Sequence, residues 1–238
     1  MFLFDIDGTL TEPRQKMPQE MEQFLFSIKD KVILGIVGGS DFVKAKEQLG
    51  DNIFNLFDYV FSENGLTYYN KGNLIHQKSL RTYFTQQQLN AFINKALMLI
   101  SELDIPVKTG TFIEFRSGMI NVSPIGRACS KHERDEFELL DKTNHYRISM
   151  IKTLKETFPD LDFEYSIGGQ ISFDVYPKGT NKSFCLDYLT HITDEIHFFG
   201  DKTTVGGNDH DIYIDKRVTG HHVNNYFETI EICKQLLN

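Results

Sequence analysis

The chain has 238 residues, of which 40% are hydrophobic and 24% charged, and its formal net charge is −8. This length is enough for one large domain or two smaller domains with packed cores. The acidic balance disfavours nucleic acid as a partner, and no apolar run approaches the roughly 20 residues that cross a bilayer, so we expect neither nucleic acid nor a membrane as a partner.

The first residues and the cysteines indicate the compartment. Three apolar residues separate Met1 from Asp5, without the basic segment that begins a signal peptide. The cysteines, Cys129, Cys185 and Cys233, are odd in number and far apart. This usage is typical of a reducing compartment, so we predict a cytoplasmic protein without disulfides or a zinc site.

Strands and helices alternate in the predicted structure of the first part of the chain. Apolar runs and turn residues predict strands at 2–6, 32–37 and 59–61, with helices at 18–28 and 41–50. This alternation favours an α/β fold in which a parallel sheet is doubly wound.

The middle of the chain has a different pattern. It predicts helices near 89–103 and 147–158 and short strands near 112–116, 121–122, 163–167 and 171–176. The α/β pattern then returns, with a helix at 182–189, strands at 195–199 and 211–214, and a helix at 226–237. We therefore predict a discontinuous doubly wound (Rossmannoid) core over 1–77 and 182–238, with an inserted α+β cap domain over 78–181.

Carboxylates lie at the end of the first predicted strand. Asp5 and Asp7 share one face of that strand, roughly 6–7 Å apart, so their charges repel unless a cation lies between them. Further polar clusters follow later strands, at Ser40, Asp201 and Asp209. Ligands of open α/β sheets bind at the carboxyl ends of the strands, and Mg²⁺ prefers oxygen ligands. A capping turn alone is the alternative interpretation of the first cluster, but the later clusters favour a magnesium site.

These clusters resemble the motifs of the haloacid dehalogenase (HAD) superfamily of phosphotransferases. An Asp-x-Asp-Gly-Thr sequence begins at Asp5, and Ser40, Lys182 and Asp201 match the later motifs. The resemblance implies that Asp5 attacks phosphorus and that Asp7 acts as general acid and base. It also implies that Ser40 and Lys182 hold phosphoryl oxygens, and that Asp5, Asp7 and Asp201 bind Mg²⁺.

A closer resemblance is to the eukaryotic phosphomannomutase family, and it extends along nearly the whole chain. The similar stretches are residues 5–14, 37–42, 110–127, 168–175 and 200–210. This resemblance implies interconversion of mannose 6-phosphate and mannose 1-phosphate for GDP-mannose synthesis. It also implies an aspartyl-phosphate, a hexose 1,6-bisphosphate as intermediate and activator, and a homodimer.

A local excess of positive charge lies in the predicted cap. Arg116, Arg127, Lys131 and Arg134 are accompanied between residues 115 and 134 only by Glu133 as an acid. Arginine binds phosphate through two parallel hydrogen bonds, so this patch suits the distal phosphate of a substrate. The family resemblance assigns substrate contacts to four residues: Arg14, Arg116, Arg127 and Arg134.

Two further sets of residues are implied by the resemblance. Ser172 and Asp174 lie on the face opposite the apolar residues of their strand, which is either a solvated face or, as the family implies, a surface for sugar hydroxyls. Tyr213, Asp215 and Val218 match an additional cation site. The sequence after Asp215 lacks the proline usual in the family, which weakens that prediction.

The residues leave other functions open. A sugar phosphatase of the same superfamily would use the same core chemistry, and a non-catalytic module that binds phosphosugars is a more distant alternative. The sequence does not decide between mannose and glucose phosphates, because these epimers differ in the orientation of one hydroxyl group.

Overall fold

The computed structural model describes residues 1–193 and 195–237. Its strands are β1 (Phe2–Phe4), β2 (Leu34–Val37), β3 (Tyr59–Ser62), β4 (Thr67–Asn70), β5 (Asn73–Gln77), β6 (Ile113–Phe115), β7 (Ile120–Val122), β8 (Phe163–Gly168), β9 (Ser172–Pro177), β10 (His197–Gly200) and β11 (Thr219–His222). Its α-helices are α1 (Gln19–Ile28), α2 (Phe42–Leu49), α3 (Ile53–Leu56), α4 (Leu80–Tyr83), α5 (Gln86–Glu102), α6 (Lys131–Asn144), α7 (Tyr146–Thr157), α8 (Leu186–Leu189), α9 (His210–Tyr213) and α10 (Tyr226–Leu236). Among these described helices, none is long and apolar enough to cross a membrane.

The chain divides into two compact units. The core unit contains Met1–Gln77 and Thr180–Asn238, and the inserted unit contains Lys78–Gly179. The second boundary therefore lies two residues before the one expected from the sequence.

A seven-stranded sheet of order β11-β10-β1-β2-β3-β4-β5 forms the centre of the core unit. Its first five strands in this order are parallel. Strand β4 pairs antiparallel with β3, and β5 pairs antiparallel with β4. On β1, Phe2 and Phe4 belong to one buried apolar cluster and Leu3 belongs to another. Because both faces of β1 pack against apolar side chains, its sequence is a continuous apolar run.

The hairpin of β4 and β5 has no counterpart among the predicted strands. Its two-residue turn places Lys71 at φ 47° and Gly72 at φ 78°. Turns with both central residues at positive φ match the twist of the flanking strands. Leu74 and Ile75 on β5 are more than half exposed, so this edge strand shows no clear alternation of buried and exposed residues.

The predicted strand at 211–214 is wrong. The structure has a helical turn there, α9, in which the Tyr213 amide donates to the Asp209 carbonyl over 2.9 Å. Ile212 is buried and Ile214 is 60% exposed, so the apolar alternation does not reflect a strand. The strand that pairs with β10 is β11, a few residues later.

An antiparallel sheet of order β6-β7-β9-β8 organises the inserted unit. Side chains of Ile120, Phe173 and Val175 pack with α5 and α7 in one apolar cluster. Side chains alternate along each strand, so the opposite face of this sheet carries the polar residues. Helix α6 has no counterpart in the sequence prediction, because only Phe137 among its apolar side chains is fully buried.

Candidate active site

The end of β1 places Asp5 at the carboxyl edge of the core sheet. Its amide donates to the Phe199 carbonyl of β10 over 2.9 Å, which continues the parallel ladder by one residue. Asp5 is 5% exposed. Asp201 directly follows β10, the strand beside β1, so the same edge brings both carboxylates together.

A buried lysine bridges two carboxylates at this edge. Lys182 Nζ donates to Asp5 Oδ1 over 2.5 Å and to Asp209 Oδ1 over 2.6 Å, and Lys182 and Asp209 have no exposed surface. Burial alone would lower the pKa of Lys182, but the charges of Asp209 and Asp5 raise it above its ordinary value. Lys182 is therefore a fixed cation beside the predicted nucleophile.

Three carboxylates meet around this lysine. Oxygen atoms of Asp5, Asp201 and Asp209 lie within 4.8 Å of one another. Burial raises the pKa of Asp5 well above its usual range, and the charge of Asp209 raises it further. Burial and Asp209 also raise the pKa of Asp201, although Lys202 acts in the opposite direction. The three carboxylates carry more negative charge than Lys182 balances. Their oxygen atoms form a ligand set that suits a hard divalent cation.

Glycine is required at two positions for this close approach. Gly8 has φ +76°, and a Cβ atom there would lie 2.6 Å from Asp201 Oδ2. A Cβ atom on Gly200 would lie 2.7 Å from Asp209 Oδ2. Gly8 therefore makes room for the Asp201 carboxylate, and Gly200 makes room for the Asp209 carboxylate.

Asp7 is not a member of the three-carboxylate group. Its Oδ1 accepts hydrogen bonds from Gln48 Nε2 and from the Arg14 amide, both over 2.8 Å. Ser40 lies between β2 and α2, and its carbonyl accepts from the Glu63 amide over 2.9 Å. The structure thus brings Asp5, Asp201 and Lys182 together, and it holds the Asp7 carboxylate by separate contacts.

The polar face of the inserted sheet carries a second site. Glu114, Asn121 and Asp174 are opposite one another on β6, β7 and β9. Asn121 Nδ2 donates to Asp174 Oδ1 over 2.7 Å and to Ser172 Oγ over 3.0 Å, while its Oδ1 accepts from Arg127. This network fixes the orientation of Ser172 and Asp174, the two residues expected to face sugar hydroxyls.

Three arginines converge on the same face. Arg116 and Arg127 contact the Glu114 carboxylate at 2.6 and 3.2 Å, and Arg134 donates to the Arg127 carbonyl over 2.9 Å. Burial and the neighbouring charge of Arg116 lower the pKa of Arg127, although Glu114 acts in the opposite direction. The guanidinium charge concentrated here suits an anionic group such as phosphate.

Several residues of these sites have no role in the sequence prediction. The alternation of Ile120 and Val122 places Asn121 on the polar face, so a signal for Asn121 was available. The sequence places Asp209 among the polar clusters without giving it a role, and in the structure it is fully buried against Lys182. Gln48 has no local signal, because its contact with Asp7 spans 41 residues.

One residue of the expected additional cation site, Asp215, forms an ion pair with Arg217. Asp215 accepts from Arg217 at both carboxylate oxygens, over 2.9 and 2.7 Å. These hydrogen bonds lower the pKa of Asp215. Tyr213 ends α9, and the Val218 amide donates to the Asp215 carbonyl over 3.2 Å. The Arg217 guanidinium therefore competes with any cation at Asp215.

Solved structures share the fold of the chain. The N-terminally truncated IMP-nucleotidase of Plasmodium falciparum is 18% identical in sequence, with a TM-score of 0.66. The structural match covers 100% of this chain and 70% of the nucleotidase chain. The C-terminal domain of trehalose-6-phosphate phosphatase from C. albicans is 16% identical with a TM-score of 0.66, covering 99% of this chain and 91% of its own. The chain therefore has a HAD-type fold, and a buried carboxylate–lysine cluster lies at the carboxyl edge of its sheet.

The family follows from closer relatives. Residues 21–238 match the family described as eukaryotic phosphomannomutase. The phosphomannomutase of Triticum aestivum is 54% identical over 98% of this chain and 94% of its own length. That of Galdieria sulphuraria is 53% identical over 99% of this chain and 94% of its own. The chain belongs to the eukaryotic phosphomannomutase family.

Proposed function

We propose that the chain interconverts mannose 6-phosphate and mannose 1-phosphate through an aspartyl-phosphate at Asp5 and a hexose 1,6-bisphosphate, and so supplies GDP-mannose synthesis. The observation that carries this proposal is the buried cluster in which Lys182 holds Asp5 at the carboxyl edge of the sheet, in a chain of this family. A carboxylate nucleophile divides phosphoryl transfer into two easier steps.

In the first step, an Asp5 carboxylate oxygen forms a bond to phosphorus as the bond from phosphorus to the sugar oxygen breaks. Asp7 gives its proton to the departing sugar oxygen. Lys182 restrains the Asp5 carboxylate, and we propose that Lys182 and Ser40 bind the transferring phosphoryl oxygens.

In the second step, a hydroxyl group of the bound hexose monophosphate attacks the phosphoryl group on Asp5. Asp7 accepts the proton of that hydroxyl. The bisphosphate reorients before the reverse transfer, so that Asp5 recovers the other phosphoryl group. Each half-reaction leaves one phosphate away from Asp5, and this distal phosphate needs a second cationic site.

Mg²⁺ is the proposed cofactor, with the Asp5 and Asp201 carboxylates as ligands and Asp209 beside them. When bound, this ion neutralises negative charge that develops on the transferring group. Asp7 belongs to the ligand set expected from the sequence, but the Gln48 and Arg14 contacts orient its carboxylate for proton transfer in this proposal.

Addition of Mg²⁺ to the EDTA-treated protein is expected to raise its thermal stability, because the ion relieves repulsion among the three carboxylates. At a concentration one hundred times the Kd, binding contributes about 2.7 kcal/mol. For a chain of this size, this corresponds to a Tm increase of about 5–10 °C. Differential scanning fluorimetry measures the shift, which should be much smaller for Asp201→Asn. An equal shift in both proteins would contradict the assignment.

The arginine network of the inserted unit is proposed to bind the distal phosphate through Arg116, Arg127 and Arg134, with Ser172 and Asp174 contacting sugar hydroxyls. The contacts among Arg127, Asn121 and Asp174 support this role, because they orient the site before substrate arrives. Arg14 completes the substrate contacts expected from the family. The additional cation site at Tyr213, Asp215 and Val218 also stays a proposal.

Arg127→Leu is expected to raise the KM for mannose 1-phosphate by about 10- to 100-fold, since a hydrogen bond to a charged group contributes about 1.5–3 kcal/mol. The coupled assay measures KM and kcat. Arg81→Leu is the matched control, because Arg81 is an exposed arginine of the same unit. An unchanged KM in Arg127→Leu would exclude Arg127 from substrate binding.

The substrate and the activator are tested together in a coupled assay. Mannose 1-phosphate and glucose 1-phosphate are each supplied with and without glucose 1,6-bisphosphate. The proposal predicts turnover of mannose 1-phosphate that the bisphosphate strongly stimulates. Turnover that needs no bisphosphate in a chain freed of bound phosphate would contradict priming by this activator.

The cytoplasmic compartment and the homodimer are proposals that rest on family membership. The cytoplasm is also consistent with Cys129, Cys185 and Cys233, which are free and buried. Light scattering after size-exclusion chromatography tests the dimer, which a mass equal to one chain would contradict.

A further inference from the structure

Gln48 contacts the loop that follows β1 from the last turn of α2. Its Nε2 donates to Asp7 Oδ1 over 2.8 Å and lies 3.3 Å from Thr11 Oγ1 and 3.4 Å from the Gln15 carbonyl. Its own carbonyl accepts from the Met17 amide over 2.8 Å. Side-chain and main-chain contacts of one residue therefore hold the loop.

Two hydrogen bonds to the Asp7 carboxylate reach the same oxygen. Gln48 Nε2 and the Arg14 amide both donate to Oδ1. A carboxyl group carries its proton on one oxygen, and an oxygen that already accepts two N–H groups is poorly placed to carry it. The transferable proton is thereby directed to Oδ2, and the plane of the carboxylate is fixed.

Helix α2 gives Gln48 a rigid base. The helix begins at the Asp41 cap, whose side chain accepts from the Lys44 amide, and it ends at Gly50, which has φ +87°. Asp41 directly follows Ser40, so one short helix connects the residue proposed to bind phosphate with the residue that holds Asp7. Groups on rigid elements keep the accurate geometry that proton transfer needs.

We infer that Gln48 is a positioning residue that orients Asp7 for proton transfer to and from the sugar oxygen. This inference rests on the proposed function of Asp7. It predicts that Gln48 matters only when the leaving oxygen needs a proton. A sugar hydroxyl needs one as its bond to phosphorus breaks, whereas acetate departs from acetyl phosphate as a stable anion without a proton.

The experiment compares the rate at which Asp5 becomes phosphorylated from two radiolabelled donors, hexose 1,6-bisphosphate and acetyl phosphate. Gln48→Leu keeps the main-chain bond to Met17 and removes the side-chain donor. We expect it to slow labelling from the bisphosphate, and kcat in the coupled assay, by about 10- to 100-fold, with little change in KM. Labelling from acetyl phosphate should stay within about twofold of the unsubstituted chain.

A second variant and a control accompany this comparison. Gln48→Glu keeps the size of the side chain but replaces its hydrogen-bond donor by an acceptor. It should therefore slow labelling from the bisphosphate but not from acetyl phosphate, as Gln48→Leu does. Gln87→Leu makes the matched change at an exposed glutamine of α5 and should leave both rates unchanged. Measurement of Tm confirms that each variant is folded.

Equal losses with both donors would overturn the inference, because Gln48 would then support the loop as a whole rather than Asp7. No loss with either donor would overturn it too. Failure of the proposed Asp5 chemistry gives a different result, since the unsubstituted chain would then accept label from neither donor. A sugar phosphatase is distinguished by phosphate release that exceeds isomerisation in the unsubstituted chain.

Discussion

Replacement of Asp5 by asparagine is expected to abolish turnover, with kcat reduced by at least about 10⁴-fold. The amide has nearly the shape of the carboxylate but does not form an acyl phosphate. Lys182 keeps its contact with Asp209, so the folded structure should survive. The coupled assay measures turnover, and radiolabelled hexose 1,6-bisphosphate measures phosphorylation of the chain, which should be absent in Asp5→Asn.

The control for this prediction is Asp51→Asn, because the Asp51 side chain is 92% exposed and forms an ion pair with Lys46 on the surface. It should label and turn over like the unsubstituted chain. Label that survives in Asp5→Asn would show that another residue is the nucleophile, whatever the loss of turnover.

Lys182→Met is expected to destabilise the fold and to inactivate the enzyme. It leaves Asp5 and Asp209 buried without their shared cation, and removal of one partner from a buried ion pair costs about 3–5 kcal/mol. At roughly 2–4 °C per kcal/mol for a chain of this size, Tm should fall by about 10 °C. Thermal unfolding measures this change, and Mg²⁺ should restore part of it by replacing the missing positive charge.

Lys152→Met is the matched control for Lys182→Met. Lys152 is exposed on α7, with a distant ion pair to Glu156 at 4.0 Å, so its replacement should change stability by less than about 0.5 kcal/mol. Equal Tm values for Lys182→Met and the unsubstituted chain would contradict the view that Lys182 compensates the buried carboxylates.

The positions of the main site residues follow from local sequence. Asp5 ends an apolar strand, Asp201 follows another, and the parallel arrangement of β1 and β10 brings them to one edge. Gly8 and Gly200 belong to the sequence motifs, but the physical reason for them is spatial, since each leaves room for a carboxylate from another part of the chain.

Errors in the prediction share a physical cause. The alternation of Ile212 and Ile214 resembles a strand, yet only Ile212 packs against the core. Helix α6 buries too few apolar residues to show a clear helical stripe, and its capping box at Ser130 and Glu133 was the signal available. Tertiary contacts, rather than the local sequence pattern, determine the secondary structure of such segments.

The contact between Gln48 and Asp7 lies beyond prediction from the sequence for a related reason. Helix α2 is short, and nothing in its periodicity distinguishes Gln48 from other polar residues of the helix. Only the position of the last turn of α2 beside the loop after β1 gives this side chain its partner.

The central claim is that the phosphoryl group returns to sugar rather than to water. In the proposal, the arginines of the inserted unit bind a phosphate away from Asp5, which is what a mutase needs. The direct measurement supplies mannose 1-phosphate together with glucose 1,6-bisphosphate. It compares the rate at which mannose 6-phosphate forms with the rate at which inorganic phosphate is released. The account predicts that isomerisation greatly exceeds phosphate release; steady phosphate release faster than isomerisation would contradict it and would identify a sugar phosphatase.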